Sequence, residues 1–592
     1  MRPSARSFRL PLGVLACIHV GLLAYAGQQD SPTWDETGHF AAGVSHWYNG
    51  DFTLYRVNPP LARLVATAPV VALHRSLPFR RYSTNPGPFE REEFPGGEFM
   101  ARVIGPGYFH LLTIARWACI PFGVLGLLIC FFWARDLYGP AAGLCAASLW
   151  TFSPNVLAHG HLITPDVCAA SFGALAGYLF WRWLRFTSWR RSVAAGLAFG
   201  FALLGKSTWI ILFGLWPVVW LIYVSRPPTV CRAQWWRTGA QLGAIMIIAL
   251  ATLNAGYGFE HTGKRLGDYA FGSRLFGGDP AAGQQRAGNR FSHALLRSFP
   301  VPLPANFLQG IDSQRQDFES NMLSYLNGEW RNGGWWYYYL YAMLIKVPLG
   351  TWGLFVFAVG ATIMCRRYSA PLKDEAVLLL SAVAVLVLVS SQTGINHHLR
   401  YVLPAFPFLF IWISKIAQSV DFGHMKLAAV AGAALAWSIG SSLWVYPHSL
   451  SYFNELVGGP MGGHYHLGNS NADWGQDLFN LRRWLDKHPE AAPLHFACDM
   501  PLIDPKMAGI ESLPVPIGPH SSRAADLSPN KLGPFPGWYA ISVNKLHDLD
   551  RNFDYFLDLK PVGRAGYSIY IYDVTTAQVN ALRKKLGLPA LE

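Results

Sequence analysis

Apolar runs near the length of a membrane-spanning helix constrain this 592-residue chain more than any other feature. A helix needs about 20 mostly apolar residues to cross a bilayer. Such runs lie at roughly 9–27, 108–134, 139–158, 165–186, 191–205, 206–224, 238–258, 340–364, 375–391, 400–418 and 425–446. Gly205-Lys206 either breaks one apolar region or separates two helices. Hydrophobic residues make up 52% of the chain and charged ones 14%, against about 25% charged in an ordinary soluble protein. This excludes a disordered chain, a coiled coil and a disulfide-stapled secreted domain. The expected fold is a polytopic α-helical membrane protein of about 11 spans. It occupies residues 1–446, and 447–592 form a small α/β extracytoplasmic domain with a helix near 474–487 and strands near 494–498, 539–543 and 568–572.

The net charge of +13 sits beside the apolar runs rather than in one solvated block, which argues against a nucleic-acid partner. It orients the chain instead. Arg2, Arg6 and Arg9 precede the first run, and Arg135, Arg182, Arg185, Arg190, Arg191, Arg226, Arg232, Arg237, Arg366, Arg367, Lys373, Lys415 and Lys426 fall on the same side. The positive-inside rule then puts the N-terminus in the cytoplasm of a multi-pass inner-membrane protein. The segments 28–107, 259–336 and the tail from 447 lie outside. No small-residue cleavage site precedes Gln28, so the first run reads as an uncleaved anchor. The eight cysteines form no CxxC pair and read as small buried residues.

Polar chemistry gathers on the outer side. Trp34-Asp35-Glu36-Thr37-Gly38-His39-Phe40 follows the first run, and helical spacing lets Asp35, Glu36 and His39 share a face. A carboxylate pair with a histidine supplies a general base and a group to orient it, or Asp35 simply caps a helix. Asn58-Pro59-Pro60-Leu61-Ala62-Arg63-Leu64 forces a turn before an apolar stretch, 61–73, that suits a helix lying in the interface and ends at His74-Arg75. Asp166 heads a span, where a carboxylate is favoured by the helix dipole. Lys206 is a single charge in an apolar region, either functional or snorkelling to the interface. Asn396-His397-His398-Leu399-Arg400-Tyr401-Val402-Leu403-Pro404 brings two histidines and an arginine into a span, and an arginine fork suits a phosphate. The tail run 464–477 is rich in amide, carboxylate and aromatic groups, as sugar sites are, though Asn471 or Asp473 capping a helix accounts for it equally.

Taken together these motifs resemble a known group. Asp35-Glu36-x-x-His39-Phe40 followed by Asn58-Pro59-Pro60-Leu61-Ala62-Arg63-Leu64 is similar to the opening of the protein O-mannosyltransferases. Asp166 and the Arg-Tyr-x-Leu-Pro run at Arg400 resemble those enzymes and the lipid A aminoarabinose transferases. Both are polyprenyl-phosphate-dependent membrane glycosyltransferases of the GT-C fold, and the resemblance covers roughly 9–446. It implies transfer of a sugar from a polyprenyl-phosphate donor to a lipid, glycan or protein acceptor. Asp35 would be the base, Glu36 would position acceptor or donor, Asp166 would be a second acid, and Arg400 would contact the donor phosphate. His39, Arg63, Lys206, His397, His398 and Tyr401 are further candidate substrate contacts. Asn58 departs from the family, where a histidine is common, and the tail lacks the look of the mannosyltransferases' sugar-binding insertion. A divalent cation is a possible cofactor on Asp35, Glu36 and Asp166. A transporter or flippase of a lipid-linked glycan is the main rival, but it would show internal symmetry and helices broken near the midplane. A binding or assembly module acting through the tail is the third reading.

Overall fold

The structure is a computed structural model that describes residues 8–74, 76–78, 91–224, 232–278, 288–498 and 502–591. Arg2, Arg6, Arg75, Arg226 and Cys231 lie outside these residues. The first half of the chain is helical: α1 Arg9–Gln29, α2 Trp34–Asn49, α3 Leu61–Leu73, α4 Glu93–Ile104, α5 Gly107–Tyr138, α6 Pro140–Thr151, α7 Pro154–Gly160, α8 Pro165–Arg185, α9 Trp189–Gly205, α10 Leu212–Val224 and α11 Arg232–Gly256. Among the described residues, six helical segments are long and apolar enough to cross a membrane: Arg9–Gln29, Gly107–Tyr138, Pro165–Arg185, Trp235–Gly256, Leu399–Asp421 and Met425–Val445. Helices Tyr338–Lys346 and Leu349–Met364 make a seventh if counted as one broken span.

Two expected continuous runs are interrupted, each at a proline. The run 340–364 bends by 111° between its two helices. Val347 is extended there and Pro348 follows it, so neither can continue the helix. The run 139–158 breaks at Ser153, whose side chain accepts from Val156 N and starts α7 with Pro154 in its first turn. The run 375–391 forms helix Leu372–Ser390, which opens on Lys373, Asp374 and Glu375. Asp374 accepts from Trp181 Nε1 and Glu375 from Lys415 Nζ, at 2.9 and 2.8 Å, so these charges enter the bundle already paired.

The core is a bundle in which α5 packs against α1, α3, α6 and α8, and α9 against α8 and α11. One close approach sets the geometry near the site. Gly173 of α8 has no Cβ, and any Cβ there would overlap the Trp209 ring. Trp209 Nε1 donates to Ala169 O at 2.9 Å, which fixes the 3₁₀ turn Ser207–Ile211 just after Lys206. Helix α3, the stretch expected to lie in the interface, packs against α2 and α5. Of the described cysteines, all free, Cys119, Cys130, Cys145 and Cys168 are buried. Cys17 is exposed, because it lies on the outer side of the peripheral helix α1.

The C-terminal part holds a five-stranded sheet in the order β4-β3-β5-β7-β6, built from β3 Leu494–Ala497, β4 Ser512–Leu513, β5 Gly537–Ser542, β6 Gly563–Ala565 and β7 Ile569–Val574. Strand β3 is parallel to β4 and β5, while β7 is antiparallel to β5 and β6. The expected helix at 474–487 is shorter, Leu478–Leu485. The residues before it, 447–477, are laid onto the helical part: Asn454 N donates to Ile345 O, Trp34 N to Trp474 O, and Ser31 N to Gln476 O, at 2.8, 3.1 and 2.9 Å. In the segment 259–336, β1 Leu323–Leu326 and β2 Glu329–Asn332 form an antiparallel hairpin. Its turn, Asn327-Gly328, has positive φ at both residues, as a tight hairpin requires.

Candidate active site

The site begins at the N-terminus of α2. Thr33 and Glu36 form a capping box, with Thr33 N donating to Glu36 Oε2 at 3.0 Å. Glu36 is fully buried and also accepts from Arg116 Nε at 2.8 Å, Arg116 Nη2 at 2.5 Å and Ile163 N at 3.1 Å. Burial alone would raise its pKa, but the Arg116 charge and these hydrogen bonds hold the carboxyl below its ordinary value. Glu36 is expected to help position the acceptor or the donor head group, and its carboxylate is engaged here by Arg116 and Ile163 N. Both oxygens are consumed in tying α2 to α5 and to the α7–α8 turn. Arg116 goes further and donates to Gly27 O, Asp30 O and Ser31 O. Sequence reasoning missed Arg116, although a lone charge within the apolar run 108–134 is the same signal that singled out Lys206.

Asp35, one residue earlier, faces a different partner. Arg400 Nη2 donates to Asp35 Oδ2 at 2.7 Å. Arg400 Nη1 lies 3.5 Å from Asp166 Oδ2, and Lys206 Nζ donates to Asp166 Oδ1 at 2.8 Å. Four residues from four separate stretches thus form one alternating chain, Asp35–Arg400–Asp166–Lys206, with two negative and two positive charges. The Asp35 side chain is 17% exposed, against 7% for Arg400, 2% for Asp166 and 6% for Lys206. Asp35 is the mouth of the chain. Aromatic faces back the cations. The Arg400 guanidinium carbon is 4.1 Å from the centre of the Trp474 ring, and Lys206 Nζ is 5.3 Å from that of Tyr401.

Around this chain, buried polar atoms stand without a hydrogen-bond partner: His39 Nε2, His159 Nδ1, Asp166 Oδ2 and Arg400 Nε. These four atoms are free to meet polar groups of a ligand or water. His39 stacks on Tyr55 at 4.3 Å. Burial, reinforced by the charges of Arg63 and Arg400, keeps His39 neutral, well below the ordinary histidine value. Burial and Arg400 do the same for His398, whose Nδ1 is hydrogen-bonded to Ser470 Oγ.

Two expected contacts are otherwise engaged. Arg63 donates to His46 Nε2, Tyr55 O and Asn58 O, at 2.8, 3.1 and 2.7 Å, bracing the Asn58-Pro59-Pro60 turn. His397 Nε2 meets Leu323 O at 2.7 Å and ties this stretch to β1. Neither capping role suggested for the tail run holds. Asn471 accepts from Leu399 N at 3.0 Å and donates to His397 O at 2.7 Å, so it clamps the residues either side of His398. Trp474 packs on Arg400, a contact hidden in the sequence by the distance between the two residues. Among the described residues, no group of three or more His, Cys, Asp and Glu side chains is placed to hold a metal ion. Glu36, one of the three expected ligands, is bound to Arg116.

Beside Lys206 and Tyr401 opens a mostly apolar cavity of about 240 Å³, lined also by Ile311, Phe318, Leu388 and Val389. Arg315, on its rim, donates to Gln392 Oε1 at 2.9 Å. Lys206, the inner end of the chain of charges, lines this cavity, together with the polar side chains of Ser207, Thr208, Gln314 and Gln392.

Residues 109–252 match the family model described as dolichyl-phosphate-mannose-protein mannosyltransferase. This stretch resembles that family. The match lies within the region where the motifs resemble the polyprenyl-phosphate-dependent membrane glycosyltransferases, and it includes Asp166 and Lys206 but not Asp35 or Arg400. No curated protein matches the sequence. Among solved structures, the chain is similar to ArnT from Cupriavidus metallidurans bound to undecaprenyl phosphate. That likeness covers 94% of this chain and 97% of that one, at 14% identity and a TM-score of 0.43. It is similar to the Archaeoglobus fulgidus oligosaccharyltransferase over 90% of this chain and 68% of that one, at 11% identity and a TM-score of 0.42. A third likeness is to the S. cerevisiae protein O-mannosyltransferase Pmt1-Pmt2 complex bound to the sugar donor, over 44% of this chain and 34% of that one, at 17% identity and a TM-score of 0.33.

Proposed function

We propose that this protein transfers a sugar from a polyprenyl-phosphate donor to an acceptor hydroxyl at the outer face of the inner membrane, with inversion. The observation that carries this reading is the chain Asp35–Arg400–Asp166–Lys206, whose Lys206 end lines the mostly apolar cavity. The family match at 109–252 supports it, since that family's name specifies a sugar held on a lipid phosphate. Cytoplasmic nucleotide sugars do not reach an outer-facing site, and a lipid-carried sugar does.

In this reading the donor tail lies in the cavity and its phosphate meets Lys206 and Arg400. Two cations on the leaving phosphate lower the barrier by stabilising charge that develops as the bond breaks. Arg400 turns toward the phosphate and releases Asp35. The acceptor oxygen attacks the anomeric carbon opposite the phosphate, its proton passes to Asp35, and the carbon–oxygen bond to the phosphate breaks. The products are the glycosylated acceptor and the polyprenyl phosphate. Asp166 holds the two cations apart and oriented. Trp474, which covers Arg400, and the buried setting limit water, which competes with the acceptor.

The test is incubation of purified protein with radiolabelled polyprenyl-phosphate sugars and envelope fractions. Label should move into one envelope fraction with wild type and not with Asp35→Asn. Absence of transfer from every donor tried would overturn the reading.

A further inference from the structure

A second cavity, of about 170 Å³, lies under the β1–β2 hairpin. Three stretches remote in sequence build it: Tyr325 and Trp330 of the hairpin, His464 and Asn469 of the tail run, and His547 and Asp548 beyond β5. The hairpin is locked over it. Leu326 forms a bridge with Leu467, Asn327 N donates to His466 O at 3.0 Å, and Trp330 Nε1 donates to His547 O at 2.8 Å.

The lining has a definite chemistry. Tyr325 and Trp330 form an aromatic corner with ring centres 5.3 Å apart. His464 Nδ1 and His547 Nε2 are 2.8 Å apart, so the two imidazoles share one proton. Burial pushes both histidines down, to about 3 and about 4, which makes them neutral at physiological pH. Asp548 is held rigid by Asn552, whose N and Nδ2 donate to it at 3.0 and 2.7 Å. Among the described residues no lysine or arginine lines the cavity, so none of them offers a phosphate or nucleotide a cation there. Aromatic faces beside neutral donors and one fixed carboxylate suit an uncharged ring with hydroxyls at its edge and C–H groups on its face. The volume is below the roughly 300–1,000 Å³ of sites for drug-sized ligands and suits one such ring.

The backbone is shaped to the same end. Gly468 passes so close to Tyr325 that a Cβ would lie 3.3 Å from the ring. Asn469 adopts φ +53°, a conformation that asparagine tolerates better than most residues, and this turns the chain between the cavity and the charged site. The next residues are those of the charged site: Ser470 on His398, Asn471 on Leu399, and Trp474 under Arg400. A second strap, Asn544 Nδ2 to Asp473 O at 3.0 Å, closes the link from the far wall.

We propose that this cavity is a subsite for one neutral sugar ring of a glycan acceptor, placed so that the segment 469–474 separates the bound ring from Asp35 and Arg400. The acceptor part of this assignment rests on the transferase reading above. The sugar-binding part does not, because it follows from the lining.

The experiment uses the full chain in detergent, with methyl α-D-glucopyranoside and methyl α-D-mannopyranoside as probes in saturation-transfer NMR. Wild type should give a transfer signal with at least one probe. Trp330→Ala should weaken binding by roughly tenfold, as expected for loss of an aromatic contact worth about 1.4 kcal/mol. Trp330→Phe should retain most of the signal, since it keeps a ring. Asn469→Ala, which leaves the Trp330–His547 bond intact, should also weaken it. No signal from wild type with either probe, or unchanged binding in both Trp330→Ala and Asn469→Ala, overturns the inference. The acceptor role is read separately in a transfer assay. Trp330→Ala should raise the acceptor KM about tenfold and leave the donor KM unchanged. An unchanged acceptor KM in a protein that does transfer sugar overturns the acceptor role alone. A wild type that binds the probes but transfers nothing overturns the transferase reading instead.

Discussion

Arg400 donates to Asp35 at 2.7 Å across 365 positions of sequence, joining the start of a late apolar helical segment to the first turn of α2. The pair brings the candidate base and the candidate phosphate ligand within one hydrogen bond of each other. A donor phosphate that draws Arg400 away would leave Asp35 free to accept a proton, so donor binding would switch the base on.

Substitutions at Arg400 should grade accordingly. Arg400→Ala removes the charge, whereas Arg400→Lys keeps the charge and loses the fork. Loss of one charge-assisted contact costs about 1.5–3 kcal/mol, so Ala should raise the donor KM by roughly 10- to 150-fold and Lys by less. Donor kinetics measured on both variants check this. Equal and negligible effects would make Arg400 an anchor for its helix.

Glu36 should behave as a structural residue. Breaking a buried ion pair costs roughly 3–5 kcal/mol, so Arg116→Ala should lower the melting temperature sharply, and Glu36→Gln should do so by less because it keeps hydrogen bonds. The pH dependence has a definite sign. The folded pKa of Glu36 lies below its unfolded value, so its contribution to stability is present above about pH 4.3 and is lost as the pH falls through the folded pKa. Thermal melts from pH 7 to pH 3 should show a shallower acid loss in Glu36→Gln than in wild type. An unaltered melting curve with a raised donor or acceptor KM would return Glu36 to the substrate.

Topology is checked by reporter fusions. Fusions at Ser188, between α8 and α9, and at His520, in the C-terminal sheet region, should report opposite sides of the membrane, with Ser188 cytoplasmic. Both on the cytoplasmic side would remove the outer-face assignment.

The helical architecture was legible because apolar runs are a local property. The spans at 165–186 and 425–446 correspond closely to Pro165–Arg185 and Met425–Val445. The count was less legible. Pro154 and Pro348 were visible within their runs, yet hydropathy averages over a proline while the backbone breaks at it. In the tail, the strands at 494–498 and 568–572 were readable from alternation, whereas β4 and β6, with two and three residues, carry too little pattern. At the site, Asp35, Asp166, Lys206 and Arg400 stood out as charges beside apolar runs. Which charge meets which is set by tertiary packing over hundreds of residues. That is why Glu36 was assigned to substrate rather than to Arg116, and why Trp474 was not linked to Arg400. The Thr33-x-x-Glu36 spacing was the one local clue to the structural role of Glu36.

The most direct measurement is sugar transfer by Asp35→Asn, at matched membrane level and melting temperature. Asparagine keeps the size of the side chain and an acceptor oxygen for Arg400, but it cannot take a proton. If Asp35 is the base, transfer should fall by roughly 10²–10⁴-fold with donor binding little changed. If Asp35 is only a partner that holds Arg400 in place, asparagine, which can still accept from Arg400 Nη2, should leave transfer close to wild type once stability is matched. Near-wild-type transfer by the Asn variant would contradict the account and remove Asp35 from the chemistry.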